Sequence, residues 1–294
     1  MIARLQQCLV LGCLAVAVAW IIGWLASSPL IAAVGLLVVS FGHAVFLALE
    51  FMASYRINAH DTVARAGVAQ CIRAWLAESW IAPHVFCWLQ PFRSRAVPDH
   101  LPSNGRRGAI LVHGFVCNRG FWNPWLRQLR AADRAFVAVN LEPVFGSIDR
   151  YVQSIDDAVA RVTAATGQPP VLICHSMGGL AARAWLRDFG GARVHRIVTI
   201  GTPHRGTWLA RFGRTLNGRQ MRVEGDWMKQ LDGARASTLH VLFTCWYSNC
   251  DNVVFPSSTA MLPGADNRFA GARGHVEMAF DERLRRETLA LLEC

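Results

Sequence analysis

Residues Val171 to Leu180 read VLICHSMGGL: a short β-branched run, a tight turn, then an Ala- and Leu-rich stretch reaching Phe189. Ser176 stands at the apex, between an expected strand and an expected helix. Such a turn lifts a serine hydroxyl above the end of a parallel sheet. It also aims the next peptide N–H, that of Met177, at the place where an oxyanion would form. Backbone passes close to backbone there, so small residues are needed two before and two after the serine. Gly178 meets this demand, and Cys174 stands where glycine is usual. The plainer reading of the same serine is a helix N-cap.

A nucleophilic serine needs a base, and the base needs an orienting carboxylate. An elbow of this type implies the chain order serine, acid, histidine. Of the ten histidines, His195, His204, His240 and His275 follow Ser176. The acids between Ser176 and His275 are Asp188, Glu224, Asp226, Asp232, Asp251 and Asp266. Asp188 falls on the helix after the elbow and should point away. Asp251 follows the strand-like run 239–247, which puts it just past the carboxyl end of a strand, where open α/β sheets place their chemistry. Only His275 comes after it, in the glycine-flanked run Gly271-Ala272-Arg273-Gly274-His275, which predicts a mobile loop before a last helix over 281–292. Asp266 is the reserve acid. The alternatives are a turn residue for Asp251 and a surface histidine for His275.

The second oxyanion donor should come from a loop after an earlier strand. The apolar run Ala109 to Val112 leads into His113-Gly114-Phe115, and the N–H of Phe115 is the candidate. His113 and His175 break the required chain order and read as structural histidines bonded to backbone.

Together His113-Gly114-Phe115, the Ser176 elbow, Gly201-Thr202-Pro203-His204-Arg205-Gly206-Thr207 and Asp251-Asn252-Val253-Val254-Phe255-Pro256 resemble the bacterial lipase and esterase branch of the α/β-hydrolase superfamily. The resemblance runs from about Arg107 to the C-terminus. It implies an α/β-hydrolase fold, a Ser176–His275–Asp251 triad, an oxyanion hole from Phe115 and Met177, and a structural or pocket-lining His204. It implies no cofactor. Acyltransferases and thioesterases share these catalytic residues, and a non-catalytic membrane scaffold is the reading from another class.

The elements that must position these residues follow from pattern. Strands are expected at 109–114, 135–141, 170–175, 194–200 and 239–247, with helices near 121–131, 148–166 and 178–189. That alternation argues for a mostly parallel sheet with helices on both faces. Residues 206–236 carry Trp208, Phe212, Met221, Trp227, Met228 and Leu231 with little strand character, which suits a small lid or an ordinary crossover helix.

Ahead of the catalytic segment, no charged residue lies between Arg4 and Glu50. Leu9 to Ala26 and Leu30 to Leu49 are each close to the ~20 apolar residues that span a bilayer. Ser27-Ser28-Pro29 breaks them into a hairpin, with Trp20 and Trp24 near the turn, as interfacial aromatics prefer. The rival is a cleaved secretory signal, which the lone Arg4 and the immediate second run disfavour. His43, inside the second run, is expected to pack between helices. Arg4 precedes the hairpin and Arg56, Arg65 and Arg73 follow it, so both ends should face the cytoplasm of a bacterial inner membrane.

The division is therefore a membrane hairpin over 1–50, a helical linker over 51–106 and a catalytic domain over 107–294. In the linker, Val68, Ile72, Trp75 and Leu76 recur at helical spacing while Glu78 avoids that side. Packing on the catalytic domain is the simpler use of such a stripe, and lying along lipid headgroups is the other.

The 294 residues carry a formal net charge of +10, with Lys229 the single lysine. Mean hydropathy is +0.25 and the pI is near 9.7. A basic surface beside a bilayer suits acidic headgroups. No nucleic-acid motif, repeat or metal-ligand spacing accompanies it. The nine cysteines are scattered, Cys8 and Cys13 in the first apolar run and Cys294 at the end. Cys245 and Cys250 are close enough in sequence to pair in an oxidising compartment, and free in the cytoplasm. The expected partners are a lipophilic ester and the membrane, with oligomeric state left open.

Overall fold

The computed structural model describes residues 2–233 and 242–293. Among these, six strands form one parallel sheet: β1 (Ala109–Val112), β2 (Phe136–Val139), β3 (Val171–His175), β4 (Arg196–Ile200), β5 (Phe243–Tyr247) and β6 (Asp266–Phe269). Their spatial order is β2-β1-β3-β4-β5-β6. The chain reverses its direction of travel between β2 and β3, and the elbow lies at that switch. Residues 239–241, which include His240 and begin the strand expected at 239–247, lie outside the described residues, as does Cys294.

Strands β1 to β4 are short apolar runs because both faces of the sheet are covered. Ile110, Val112, Leu172 and Cys174 pack on one side with α6 (Val152–Thr166) and α7 (Met177–Phe189). Ala109, Leu111, Val171 and Ile173 alternate to the other side, against α5 (Asn123–Ala131), α10 (His275–Phe280) and α11 (Glu282–Ala290). Strand β6 escaped the sequence reading because Asp-Asn-Arg-Phe is polar. It is an edge strand, half-exposed, and among the described residues it pairs with β5 alone.

Two long apolar helices open the chain: α1 (Ile2–Trp24) and α2 (Pro29–Ile57). They pack against each other, Trp20 donating from Nε1 to the Ile31 carbonyl across the turn. Only 11% and 6% of their most apolar windows are buried. Their free ends, not the turn, meet the rest of the molecule. Gln6 is buried between Gln90 and Asn118, and Ser54 and Asn58 are buried against the loop that holds Asp251.

The linker departs from the simpler expectation. Helix α3 (Val68–Pro83) turns Val68, Ile72 and Leu76 outward and buries Ala74 and Glu78. Trp80, 83% exposed, and Trp88 continue the outward apolar surface. Periodicity reports that a face is apolar, not what it faces. Here Trp75 Nε1 donates to Ala44 O and His43 Nε2 meets Ser79 O, so α3 lies against the distal half of α2. An apolar groove of about 470 Å³ runs between the two helices, lined by Phe51, Met52, Tyr55, Ile72 and Trp75. Beyond α3, a π-helical turn (His84–Leu89) and the short α4 (Gln90–Arg93) bring Val85 and Leu89 into the sheet's own core.

Segment 206–236 holds a 3-10 turn (Trp208–Phe212), α8 (Leu216–Gln220) and α9 (Asp226–Leu231); 234–236 lie outside the described residues. Met221, Met228 and Leu231 are buried in the core on the α6–α7 side, whereas Phe212 and Leu216 are exposed.

Candidate active site

Strand β3 ends at His175 and α7 begins at Met177, leaving Ser176 alone in the turn. Its backbone has φ 53° and ψ −128°, a conformation costly for any residue with a Cβ. Three bonds hold it: Ser176 N–H to Ile200 O at 2.9 Å, Gly179 N–H to Ser176 O at 3.0 Å, and Thr202 Oγ1 to the same carbonyl at 2.8 Å. Met177 is the first residue of α7, so its N–H has no partner within the helix. Close approach explains Gly178. A Cβ there would lie 2.5 Å from Val112 O and 2.6 Å from His113 O. Cys174, by contrast, is buried among aliphatic side chains on the α6–α7 side, and the turn forms around it without a glycine.

Gly178→Ala is accordingly expected to destabilise the fold by about 1–3 kcal/mol, the usual cost of overpacking. Thermal unfolding of the variant checks this, and an unchanged midpoint would contradict the close approach.

Asp251 follows β5 at the carboxyl edge of the sheet. Its Oδ1 accepts from the N–H groups of Val253 and Val254, both at 2.8 Å, and its Oδ2 is 2.9 Å from His275 Nδ1. Both residues are buried, so the pair is shielded from solvent. Burial by itself opposes protonation of His275. The charge of Asp251 and its hydrogen bond, with Glu78 and Glu50 behind, outweigh that and hold the ring above the usual histidine range.

His275 is not in a mobile loop. It is the first residue of α10, its N–H donating to Asn252 Oδ1 at 3.1 Å. Its carbonyl accepts from His175 Nε2 at 3.1 Å, and the two rings are 4.6 Å apart. His175 thus links the elbow to the His275 segment. Burial, then the proximity of His275, pushes its pKa well down, so it serves as a neutral donor. Ser176 reaches the same rim, although its hydroxyl makes no hydrogen bond to His275 among the described residues. Unliganded sites often leave this contact long.

His113 donates from Nδ1 to Gly114 O and accepts the Leu141 N–H at Nε2. Burial lowers its pKa to about 4. Gly114 passes so close to the elbow that a Cβ on it would lie 2.8 Å from Ser176 Cβ. Phe115 is half-buried, its ring edge-on to Phe145. Val116 next to it is a β-branched residue with φ 55°, a strained loop held by Gln6 Nε2 on its carbonyl. His204 is buried, its Nε2 3.0 Å from Thr199 Oγ1.

Asp266 is not with these groups. It opens β6, at the amino edge of a parallel sheet, and pairs with Arg268 and Thr244. The two cysteines that could have paired do not face each other. Cys245 Sγ faces His204 Nε2 at 3.5 Å, while Cys250 Sγ faces Cys71 Sγ of α3 at 3.7 Å; both are free.

Two carboxylates at the site were not singled out from sequence. Glu50, at the distal end of α2, accepts from Asn252 Nδ2 at 2.7 Å. Glu78, fully buried on α3, accepts from the N–H groups of Val276 and Glu277. Their only sequence signals were a charge at the end of an apolar run and a charge opposite an apolar stripe.

The alpha/beta hydrolase family model matches residues 109–288. No curated sequence relative matches the chain. Among solved structures, lipase B of Aspergillus fumigatus is similar at a TM-score of 0.59 and 20% identity, over 68% of this chain and 56% of that one. This chain thus spans little more than half of that lipase. The mature form of lipase BlEst2 from Bacillus licheniformis is similar at a TM-score of 0.57 and 17% identity, over 66% of this chain and 95% of that one. At such identities the likeness is one of fold.

Proposed function

Since the chain belongs to the alpha/beta hydrolase family, we propose that it is a membrane-anchored serine hydrolase that cleaves lipophilic carboxylic esters through an acyl-enzyme. The observation that carries the reading is the strained Ser176 elbow at the same sheet edge as the buried Asp251–His275 pair. In this mechanism the neutral His275 ring takes the Ser176 proton as the hydroxyl attacks the ester carbonyl. Asp251 stabilises the imidazolium, and the ring then protonates the leaving alkoxide. The N–H groups of Met177 and Phe115 receive the oxyanion, each worth about 2.7–4 kcal/mol in such sites. Water then releases the acyl group by the same route in reverse.

Anchoring is supported by the exposure of α1 and α2 and by where their ends lie. Gln6 and Ser54 contact loops on either side of the candidate site, so a hairpin that stays attached is part of the packed molecule. The outward stripe of α3 with Trp80 then lies along the headgroups, the second of the two uses open to it. Arginines after α2 favour the cytoplasmic side. A C-terminal fluorescent-protein fusion is expected to fluoresce in cells, whereas an alkaline phosphatase fusion should be inactive; the opposite pair of results would reverse the orientation.

The deciding experiment treats detergent-solubilised full-length protein with a fluorophosphonate and a short-chain chromogenic ester. Labelling at Ser176 and turnover are expected, and absence of both in folded protein refutes the assignment. Added alcohols separate hydrolysis from acyl transfer through the products. Because the base must be neutral and its pKa is raised, activity should be full on the alkaline side. It should fall as pH drops through a midpoint above the ordinary histidine value of about 6.5. A midpoint below that value would contradict the Asp251 partnership.

A further inference from the structure

The first four N–H groups of a helix have no partner within it. At α10, which starts with His275, all four are taken by side chains. Gly274 N–H goes to Glu277 Oε2 at 3.0 Å and His275 N–H to Asn252 Oδ1 at 3.1 Å. Val276 N–H goes to Glu78 Oε1 at 2.8 Å and Glu277 N–H to Glu78 Oε2 at 2.9 Å. The residue at the cap position is Gly274, which has no side chain to supply a local cap. A Cβ there would lie 2.5 Å from Glu78 Oε2, so the glycine is what admits the outside carboxylate. Helix α3 holds this turn a second time, Arg73 pairing with Glu277 at 2.7 Å.

We propose that Glu78 is a positioning residue of the active site, a carboxylate supplied from α3 that fixes the turn carrying His275 and sets the electrostatic surroundings of its ring. The proposal rests on the reading of Ser176, His275 and Asp251 given above. Glu78 lies outside the segment that matches the hydrolase family, so the catalytic histidine is seated on an element particular to the N-terminal half.

A merely structural cap could be any residue able to accept two N–H groups. A buried carboxylate does more, because its charge acts on the imidazole. Burial pushes the Glu78 carboxyl up to about 7, while the Val276 and Glu277 N–H groups and His275 favour its charged form. The groups facing His275 are Asp251 from the loop after β5, Glu78 from α3, Glu50 from α2 and His175 from β3. Removing the Glu78 charge leaves Asp251 and Glu50 to support the imidazolium, so protonation of His275 becomes harder.

The test uses the full-length protein in detergent and a short-chain chromogenic ester. Glu78→Gln keeps the size but turns an amide NH2 toward a backbone donor. Its kcat is expected to fall ~10- to 100-fold, the scale of a misplacement near 1 Å, with KM little changed. The acidic limb of kcat/KM should move to lower pH. Glu78→Asp should restore part of that pH shift while kcat stays low. A loss of thermal stability with kcat and the acidic limb unmoved in the folded fraction would overturn the proposal. Should Glu78→Gln not fold, Gly274→Ala decides, since its Cβ displaces the carboxylate without removing it. Reduced kcat supports the proposal there and unchanged kcat overturns it. A wild-type protein that turns over no ester and takes no fluorophosphonate overturns the hydrolase reading and this proposal together. A labelled, active wild type with a fully active Glu78→Gln sinks this one alone.

Discussion

Replacing Ser176 with alanine is expected to lower ester turnover by roughly 10^4- to 10^6-fold, leaving only what binding and the oxyanion donors provide. That corresponds to about 5–8 kcal/mol of transition-state stabilisation. Stability should barely change, because alanine keeps a Cβ in the same strained backbone conformation, φ 53° and ψ −128°. Ser176→Gly should be equally inactive yet more stable, by about 1 kcal/mol or more, since glycine relieves the strain. Turnover and thermal unfolding of the two variants side by side test both halves. An active Ser176→Ala protein would dispose of the nucleophile. A glycine variant no more stable than wild type would argue against a strained elbow.

The second large effect concerns a chain begun at Arg107, where the hydrolase resemblance starts. Such a chain is expected not to fold, although it contains every residue of the proposed triad. It lacks Val85, Leu89 and Val97, all buried in the core beneath the sheet. Each contributes about 1.5–3 kcal/mol by burial, against a total of about 5–15 kcal/mol for a domain. It also lacks Gln90, whose carbonyl groups accept from Asn118, and Glu78, whose loss strands two N–H groups beside His275. Far-UV circular dichroism and gel filtration of the shortened protein check the outcome. A soluble, monomeric, active product would show that the N-terminal half is a detachable tether. The expectation is the reverse: the linker is built into the catalytic body.

The pH behaviour and Glu78 connect these results. Asp251 and His275 form a buried pair whose ring is held above the usual histidine range, with Glu78 and Glu50 adding to the effect of Asp251. Two of those three carboxylates come from α2 and α3. Whatever shifts these two helices therefore also touches the base of the proposed reaction.

Much of the frame was legible in the chain itself. Buried parallel strands need apolar runs with side chains on both faces, and Ala109–Val112 and Val171–His175 show it. A sharp strand-to-helix turn needs a small residue where backbones touch, and Gly178 shows that. These are local demands, so neighbouring residues record them. The polar edge strand β6 and the helical start at His275 were hidden for the same reason. Their conformations are held by β5 and by Glu78, partners far along the chain.

By itself, the order of residues determined the elbow, the αβ alternation and two helices apolar enough for a bilayer. Tertiary packing decided the contact itself: the strand-like run before Asp251 already favoured it over Asp266, and sheet geometry then puts the two at opposite edges. It also decided that α3 buries its glutamate and shows its aliphatic stripe. An amphipathic pattern tells how side chains are sorted around an axis. What each side then meets depends on surfaces contributed from elsewhere, here α10 on one flank, while the aliphatic stripe on the other stays exposed.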